Sequence, residues 1–318
     1  MNDMTSSALI LMSTFNGEKY LAEQIESIIA QTHTNWILLI RDDGSSDTTV
    51  DIIQRYSASN SRIIQIKDNF GNVNCIKSFS LLMQAACNRN EVYIFFCDQD
   101  DVWLPEKLSL QITMLQNMEQ QHEAGTPMLV HSDLRVVDSN LSMTHPSFLA
   151  YERLQRNIDA PLKTLLINNY ITGCTIGMNK ALLTLASPVP ENVLMHDWWC
   201  ALCAAASGII GFIEQVTVLY RQHNRNSIGS KGDAGKLLQL IDFKRTFARK
   251  RKNFLLCIQQ ADELLARSDC RNDNDRIKNF ASLKRKKIMA RYLLASKLKL
   301  QPAGFLRIAA FWTMLAVI

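Results

Sequence analysis

Four short apolar runs, each followed by a segment with apolar residues at helical spacing, constrain the first 130 residues of this chain more than any other feature. Ala8–Ser13, Trp36–Ile40, Ile63–Ile66 and Val92–Cys97 read as strands. Between them, Glu18–Gln31 sets Leu21, Ile25, Ile28 and Ile29 on one helical face. A helix capped by Ser46 or Asp47 runs to about Tyr56, another covers Val73–Ala86, and a fourth spans Pro105 to Gln121 with proline in its first turn. Val92–Cys97 is unbroken in its apolar character, as expected of a strand covered on both faces. Strands alternating with helices in this way predict an α/β fold with a mainly parallel sheet, Rossmann-like, flanked by helices. Further on, strands are expected at 128–132 and 211–220 and a helix at 197–207, with an all-helical region from about 235, broken near Asp269–Asn274 and at Gln301-Pro302.

Composition narrows the class. The chain has 318 residues, 47% apolar and 20% charged, which excludes a disordered or fibrous protein. Residues 1–230 carry 15 Lys/Arg against 23 Asp/Glu, and residues 231–318 carry 20 against 7. An acidic body of net −8 thus precedes a basic tail of net +13. Such a split points to nucleic acid or an anionic membrane. Basic-aromatic interleaving is absent from the α/β body, which argues against nucleic acid. The eight cysteines show no framework spacing. The Cys200/Cys203 pair lies in an Ala-rich helical run and reads as a buried face. The opening MNDMTSSALILM lacks a basic n-region, so a cytoplasmic chain with free thiols is expected. Neither G-x-G-x-x-G nor G-x-S-x-G occurs, and GSKGDAGKL at 229–237 has the wrong spacing and no Ser/Thr for a P-loop.

Ligands of open parallel sheets bind beyond the carboxyl ends of the strands. The acidic clusters fall there. Asp98, Asp100 and Asp101, with Gln99 among them, follow the fourth strand. Three carboxylates in four residues repel one another and call for a cation, and oxygen ligands suit Mg²⁺ or Mn²⁺. An acidic helix start is the alternative, but Asp98 stands too far ahead of the next helix for it. Asp42-Asp43-Gly44-Ser45-Ser46-Asp47 follows the second strand, and serves equally as a turn or as a site. His196-Asp197-Trp198-Trp199 sets a carboxylate in partly apolar surroundings, which favour a general base; the aromatics could stack on a sugar ring. A helix cap with core tryptophans is the alternative. Tyr220-Arg221-Gln222-His223 ends a strand, with His223 a candidate metal ligand and Arg221 or Arg225 a phosphate partner or a solvated side chain.

Together these residues resemble glycosyltransferase family 2, with its GT-A fold, over about residues 7–225. The resemblance rests on Ser13-Thr14-Phe15-Asn16-Gly17, Gln31-Thr32, Asp42–Asp47, Asp98–Asp101 with Trp103 and Pro105, and His196-Asp197. The forms CDQDDVW, HSD at 131–133, TGC at 172–174, HDWW at 196–199 and YRQH at 220–223 are most similar to bacterial rhamnosyltransferases of that family. What the resemblance implies is a GT-A domain over 1–230 and a basic helical C-terminal region over 231–318. Ser13 and Phe15 border the nucleotide base and Asp43 hydrogen-bonds it. Asp98 meets ribose or sugar hydroxyls, and Asn16, Gln99, Asp101 and Arg221 complete the nucleotide-sugar contacts. Asp100, Asp98 and His223 hold Mg²⁺ or Mn²⁺. Asp197 is the catalytic base, and His196, Trp198 and Trp199 face the acceptor. The family commonly has an acidic residue just before the base, where this chain has His196.

A single base with no second nucleophile implies inversion, by analogy with glycoside hydrolysis. The expected reaction moves L-rhamnose from dTDP-L-rhamnose to a saccharide or lipid-linked saccharide in surface polysaccharide (O-antigen or capsule) synthesis. The alternatives are another donor such as a UDP-hexose, a sugar-phosphate nucleotidyltransferase, or a non-catalytic sugar- or lipid-binding module. The tail holds Lys244–Lys252, Lys284–Lys287 and the nearly uncharged Phe305–Ile318. It suits peripheral docking at the cytoplasmic face of the inner membrane. A solvated helical face or a homodimer contact is the alternative.

Overall fold

The computed structural model describes residues 6–223, 243–267, 272–300 and 305–318. The boundary expected at 230/231, Arg225, the 229–237 segment and the Gln301-Pro302 break lie outside the described residues, as do Asp269–Arg271 of the other expected break.

The four leading runs form β1 (Ala8–Thr14), β2 (Trp36–Asp42), β3 (Ile63–Ile66) and β4 (Tyr93–Cys97). The helices between and after them are α1 (Leu21–Ile29), α2 (Thr49–Ser59), α3 (Cys75–Cys87) and α4 (Lys107–Gln121). All fall within about three residues of their expected ends. The cap of α2 is Thr48, not Ser46 or Asp47, although Asp47 accepts from the Thr49 N–H.

The shorter strands were not legible in the sequence. The stretch expected as one strand at 211–220 divides into β10 (Ile209–Ile213) and β11 (Val218–Arg221), which join different sheets. The main sheet also contains the three-residue β9 (Gly177–Asn179), beside β6 (Met128–Ser132). Its order is β10-β6-β9-β4-β1-β2-β3, parallel except for β9, which runs against both neighbours. A smaller sheet joins β5 (Val102–Trp103), β11, β7 (Arg135–Val137) and β8 (Met143–His145).

Strand alternation divides the core. Leu9, Leu11, Ile94 and Phe96 face one side; Ala8, Ile10, Met12, Tyr93, Phe95 and Cys97 face the other. The second side is covered by α1, α2 and α4. The first is covered by α3 and by the later helices α6 (Pro161–Leu165), α7 (Lys180–Ala186) and α8 (His196–Ser207), while the short α5 (Phe148–Tyr151) sets Leu149 against the first side and Phe148 against the second. Cys200 and Cys203 are buried free thiols of α8.

The tail packs on that same side. It consists of α9 (Phe243–Arg267), α10 (Asn274–Ala281), α11 (Ile288–Lys297) and α12 (Phe305–Val317). Phe254, Cys257, Ile258, Ala261 and Leu264 of α9 continue the apolar core of α8. Gln260 accepts from the Leu194 N–H at 2.8 Å, and Asn272 binds the carbonyls of Ala205 and Gly208. Arg251 and Arg291 donate to the carbonyls of Val317 and Leu315, where a helix C-terminus favours cations. Among the described residues no helix is long and apolar enough to cross a membrane.

Candidate active site

The strand order reverses between β1 and β4, because β2 and β3 lie on one side of β1 and β4 on the other. A crevice forms at such a switch point. Register sets Met12 beside Cys97 and Thr14 beside Asp42, so the loops after β1, β2 and β4 meet there.

The first two loops are stitched together. Asp42 accepts from the Thr14 hydroxyl, the Ser45 hydroxyl and the N–H groups of Gly44 and Ser45. The Asn16 carbonyl oxygen of its side chain accepts from the Ser46 N–H, and the Asn16 N–H donates to Ser45 Oγ. Asn16 adopts φ +48°, a left-handed turn that asparagine tolerates. Phe15 is half exposed above this loop.

Asp43 is held from beneath by Arg41. The Arg41 guanidinium is wholly buried and uses all five N–H donors: on Asp43 Oδ1 at 2.7 Å, Ser78 Oγ, both oxygens of Asp68 and the Gly71 carbonyl. The Val73 N–H donates to the same Asp43 oxygen. Asp43 Oδ2 has no partner among the described residues, so one oxygen stays open to a ligand. Ser13 Oγ lies 2.6 Å from Ser78 Oγ, on the same network. Arg41 is a support of the crevice that the sequence reading missed. Its signal was a cation at the end of an apolar strand, directly before two aspartates.

The acidic loop after β4 splits its residues by role. Gln99 pairs its side-chain amide with the Phe15 backbone, accepting from N–H at 2.9 Å and donating to C=O at 3.0 Å. Gly17 must be glycine for this, since an added Cβ would sit 2.3 Å from Gln99 Oε1. Gln99 therefore braces the loop that carries Phe15. Asp100 is bonded to His223 Nε2 at 2.8 Å. Asp101 is fully buried; Oδ1 accepts from the Arg221 N–H, while Oδ2 has no hydrogen-bond partner. Burial, then the charges of Asp100 and Asp98, push the Asp101 carboxyl well up. Burial, then Asp100 and Asp197, raise Asp98 likewise. Asp98, Asp101 and Cys174 offer ligand atoms within 4.8 Å of one another.

These groups fit a hard divalent cation. Carboxylates that raise one another's affinity for protons are relieved by a positive charge. Cys174 does not fit a hard cation as a ligand, because sulfur is a soft donor and burial pushes its thiol well up.

Arg221 was expected on phosphate, and the structure corrects this. Its side chain is 1% exposed and clamps the carbonyls of Asp100 and Ser139 and the carboxylate of Glu23, with its guanidinium over the Tyr20 ring. It positions the acidic loop from behind.

Asp197 lies in the first turn of α8 and is 8% exposed. Its oxygens accept from the N–H groups of Gly173 at 2.9 Å and Trp198 at 2.5 Å. Burial still dominates and pushes the carboxyl up to about 6, against those two hydrogen bonds. The short 3-10 turn Gly173–Thr175 is the joint between Asp197 and the acidic loop: the Gly173 N–H donates to Asp197, and the sulfur of the next residue, Cys174, lies within 4.8 Å of a carboxylate oxygen of both Asp98 and Asp101. A Cβ on Gly173 would lie 3.3 Å from Asp197 Oδ2.

His196 and Trp199, expected at the acceptor, are corrected too. His196 is 3% exposed, stacks on Phe79 at 3.9 Å, and is driven down to about 3 by burial. Trp199 is fully buried with its indole N–H on the Ala186 carbonyl. Neither reaches an acceptor. Trp198 is half buried, with its N–H on the Leu165 carbonyl. These aromatics fix α8 and so aim Asp197.

Comparison with known proteins agrees with this arrangement. The chain is 27% identical over 254 residues to the dTDP-rhamnosyl transferase RfbG of Shigella flexneri, covering 75% of this chain and 77% of that one. It is 26% identical over 159 residues to WfgD of Escherichia coli, a UDP-Glc:alpha-D-GlcNAc-diphosphoundecaprenol beta-1,3-glucosyltransferase, covering 50% of this chain and 59% of that one. In structure it resembles the mannosyltransferase PcManGT from Pyrobaculum calidifontis, solved with GDP-Man and Mn²⁺, with a TM-score of 0.53 and 13% identity over 99% of this chain and 86% of that one. That likeness shows a shared GT-A fold. The model of the family described as Glycosyl transferase family 2 matches residues 9–183, more than half of the chain, and contains the three loops of the crevice. The chain therefore belongs to glycosyl transferase family 2.

Proposed function

We propose that the protein is an inverting glycosyltransferase in which Asp197 takes the proton of an acceptor hydroxyl as that oxygen attacks the anomeric carbon of a nucleotide sugar. The observation that carries this is the joint at Gly173 and Cys174, which binds the buried Asp197 carboxylate on one side and lies against Asp98 and Asp101 on the other. A base that titrates near 6 is mostly ionised at neutral pH yet still binds a proton appreciably. The open oxygen of Asp43 and the exposed Phe15 ring suit a nucleotide base, with Ser13 and Asn16 shaping the loop beneath. Asp98 and Asp100, with His223 behind Asp100, would hold Mg²⁺ or Mn²⁺, with Asp101 in support. When bound, the cation neutralises charge on the departing diphosphate.

The likeness to RfbG supports L-rhamnose from dTDP-L-rhamnose as donor. The likeness to WfgD supports a second reading with a UDP-hexose donor and favours a lipid-linked saccharide acceptor. Either belongs to bacterial surface polysaccharide synthesis. The basic tail supports peripheral association with the cytoplasmic face of the membrane. A thermal-shift panel of nucleotide sugars, with and without Mn²⁺, tests the donor; dTDP-L-rhamnose should give the largest metal-dependent shift. Turnover should release nucleoside diphosphate. No binding by any nucleotide sugar, or release of pyrophosphate, would overturn the reading.

A further inference from the structure

The N-terminal end of α11 carries an arrangement that is unfavourable in water. Lys284, Arg285, Lys286 and Lys287 are consecutive and all exposed. None has an ion pair among the described residues. Lys287 is the N-cap of α11 and no side chain caps it. A helix N-terminus is the positive end of the macrodipole, so Lys286 and Lys287 beside it repel the helix, and together with Lys284 and Arg285, which close the 3-10 turn Ser282–Arg285, they repel one another. Directly beside them, Ile288 is 46% exposed, Met289 69% and Leu293 70%. Met289 and Leu293 are four residues apart and share a face. The opposite face of α11 is anchored: Ala295 is buried, Tyr292 stacks on Trp312 with ring centroids 5.6 Å apart, and Arg291 caps α12. The bare face is therefore held outward by packing on the other side.

We propose that this edge, Lys284–Lys287 with Ile288, Met289 and Leu293, is the element that meets an anionic phospholipid bilayer. Headgroup phosphates neutralise the cations and accept from the free N–H groups at the start of α11. The three apolar side chains enter the boundary between headgroups and acyl chains. A second copy of the chain fits poorly, since a two-fold contact would press these cations against their equivalents. The inference deepens the proposed membrane association and rests on it.

The test uses the full chain. Co-sedimentation is measured with vesicles of phosphatidylglycerol and phosphatidylcholine, and of phosphatidylcholine alone, at low and high salt. Binding is expected only with phosphatidylglycerol and should weaken with salt. Lys284→Gln with Lys286→Gln should lower partitioning roughly 25-fold, at about fivefold per charge. Met289→Glu with Leu293→Glu should abolish it. These side chains are exposed, so an unchanged melting temperature shows that the variants fold. Undiminished binding by both folded variants would overturn this site while leaving the membrane association standing. No binding by the parent chain would overturn both. Self-association of the parent that Met289→Glu removes, without lipid binding, would assign the face to a second copy and overturn the proposal.

Discussion

Replacing Asp197 with asparagine separates two properties of one carboxylate. Burial raises its pKa from the ordinary 3.8 to about 6, so the folded state holds the proton more tightly than the unfolded chain. The stability tied to that proton is complete below about pH 3.8 and is lost as pH rises through about 6. By about pH 8 the loss reaches about 3 kcal/mol, and at about pH 5 it is roughly half of that. Asparagine does not titrate and escapes the loss. It keeps one acceptor for the Gly173 and Trp198 N–H groups and turns an amide toward the other, costing about 1–2 kcal/mol at every pH. The signature is thus the difference between two pH values. Relative to the parent, Asp197→Asn should gain about 1–2 kcal/mol between about pH 5 and about pH 8. For a chain of 318 residues this is about 2 °C in Tm, at ~2.1 cal/mol/K per residue. Transfer should fall by about 10²–10⁴-fold, the range for loss of a general base, while donor binding persists. Scanning calorimetry at both pH values and a nucleoside diphosphate release assay read the two parts. A Tm difference that does not change with pH would refute the buried-charge argument. Transfer at the parent rate would refute the base assignment.

Other substitutions probe the supports of the site. Gly173→Ala should lower kcat roughly tenfold with donor affinity unchanged, because its Cβ would press on Asp197 Oδ2; steady-state kinetics and donor titration check this. Arg41→Ala leaves Asp43 and Asp68 without their cation and should cost about 3 kcal/mol or more in denaturant unfolding, together with nucleotide binding. His196→Phe keeps the stack on Phe79 and should retain transfer within a few-fold, whereas loss of acceptor affinity in steady-state kinetics would restore His196 to the acceptor site. The parent enzyme should gain activity as pH rises toward about 6 and then level off, following ionisation of Asp197.

Much of the sheet was readable because a strand buried on both faces must be apolar at nearly every position, as Tyr93–Cys97 is. The three-residue β9 and the two-residue β5 carry too few side chains for any period to register. The division of 211–220 was hidden for a related reason: Glu214 and Gln215 mark the break, but apolar residues continue on both sides of it. Asp197 could be picked out from its aromatic neighbours, yet those neighbours were misjudged. Aromatics beside a carboxylate look alike in sequence whether they line a cleft or fill a core, and only tertiary packing separates Trp199 from an acceptor platform. Gly173 was invisible as a partner of Asp197, since a contact across 24 residues leaves no local pattern.

The tail helices have no core of their own. Phe254, Cys257 and Ile258 on α9 and Phe311, Met314 and Leu315 on α12 belong to the same apolar body as Trp199 and Cys200 on α8, which begins one residue before Asp197. The C-terminal helices are accordingly no detachable module. Grafting them onto another transferase, or trimming them to ease expression, would strip the back of the helix that carries Asp197. A chimera exchanged between relatives should take its crossover ahead of α8, so that this helix and its backing travel together.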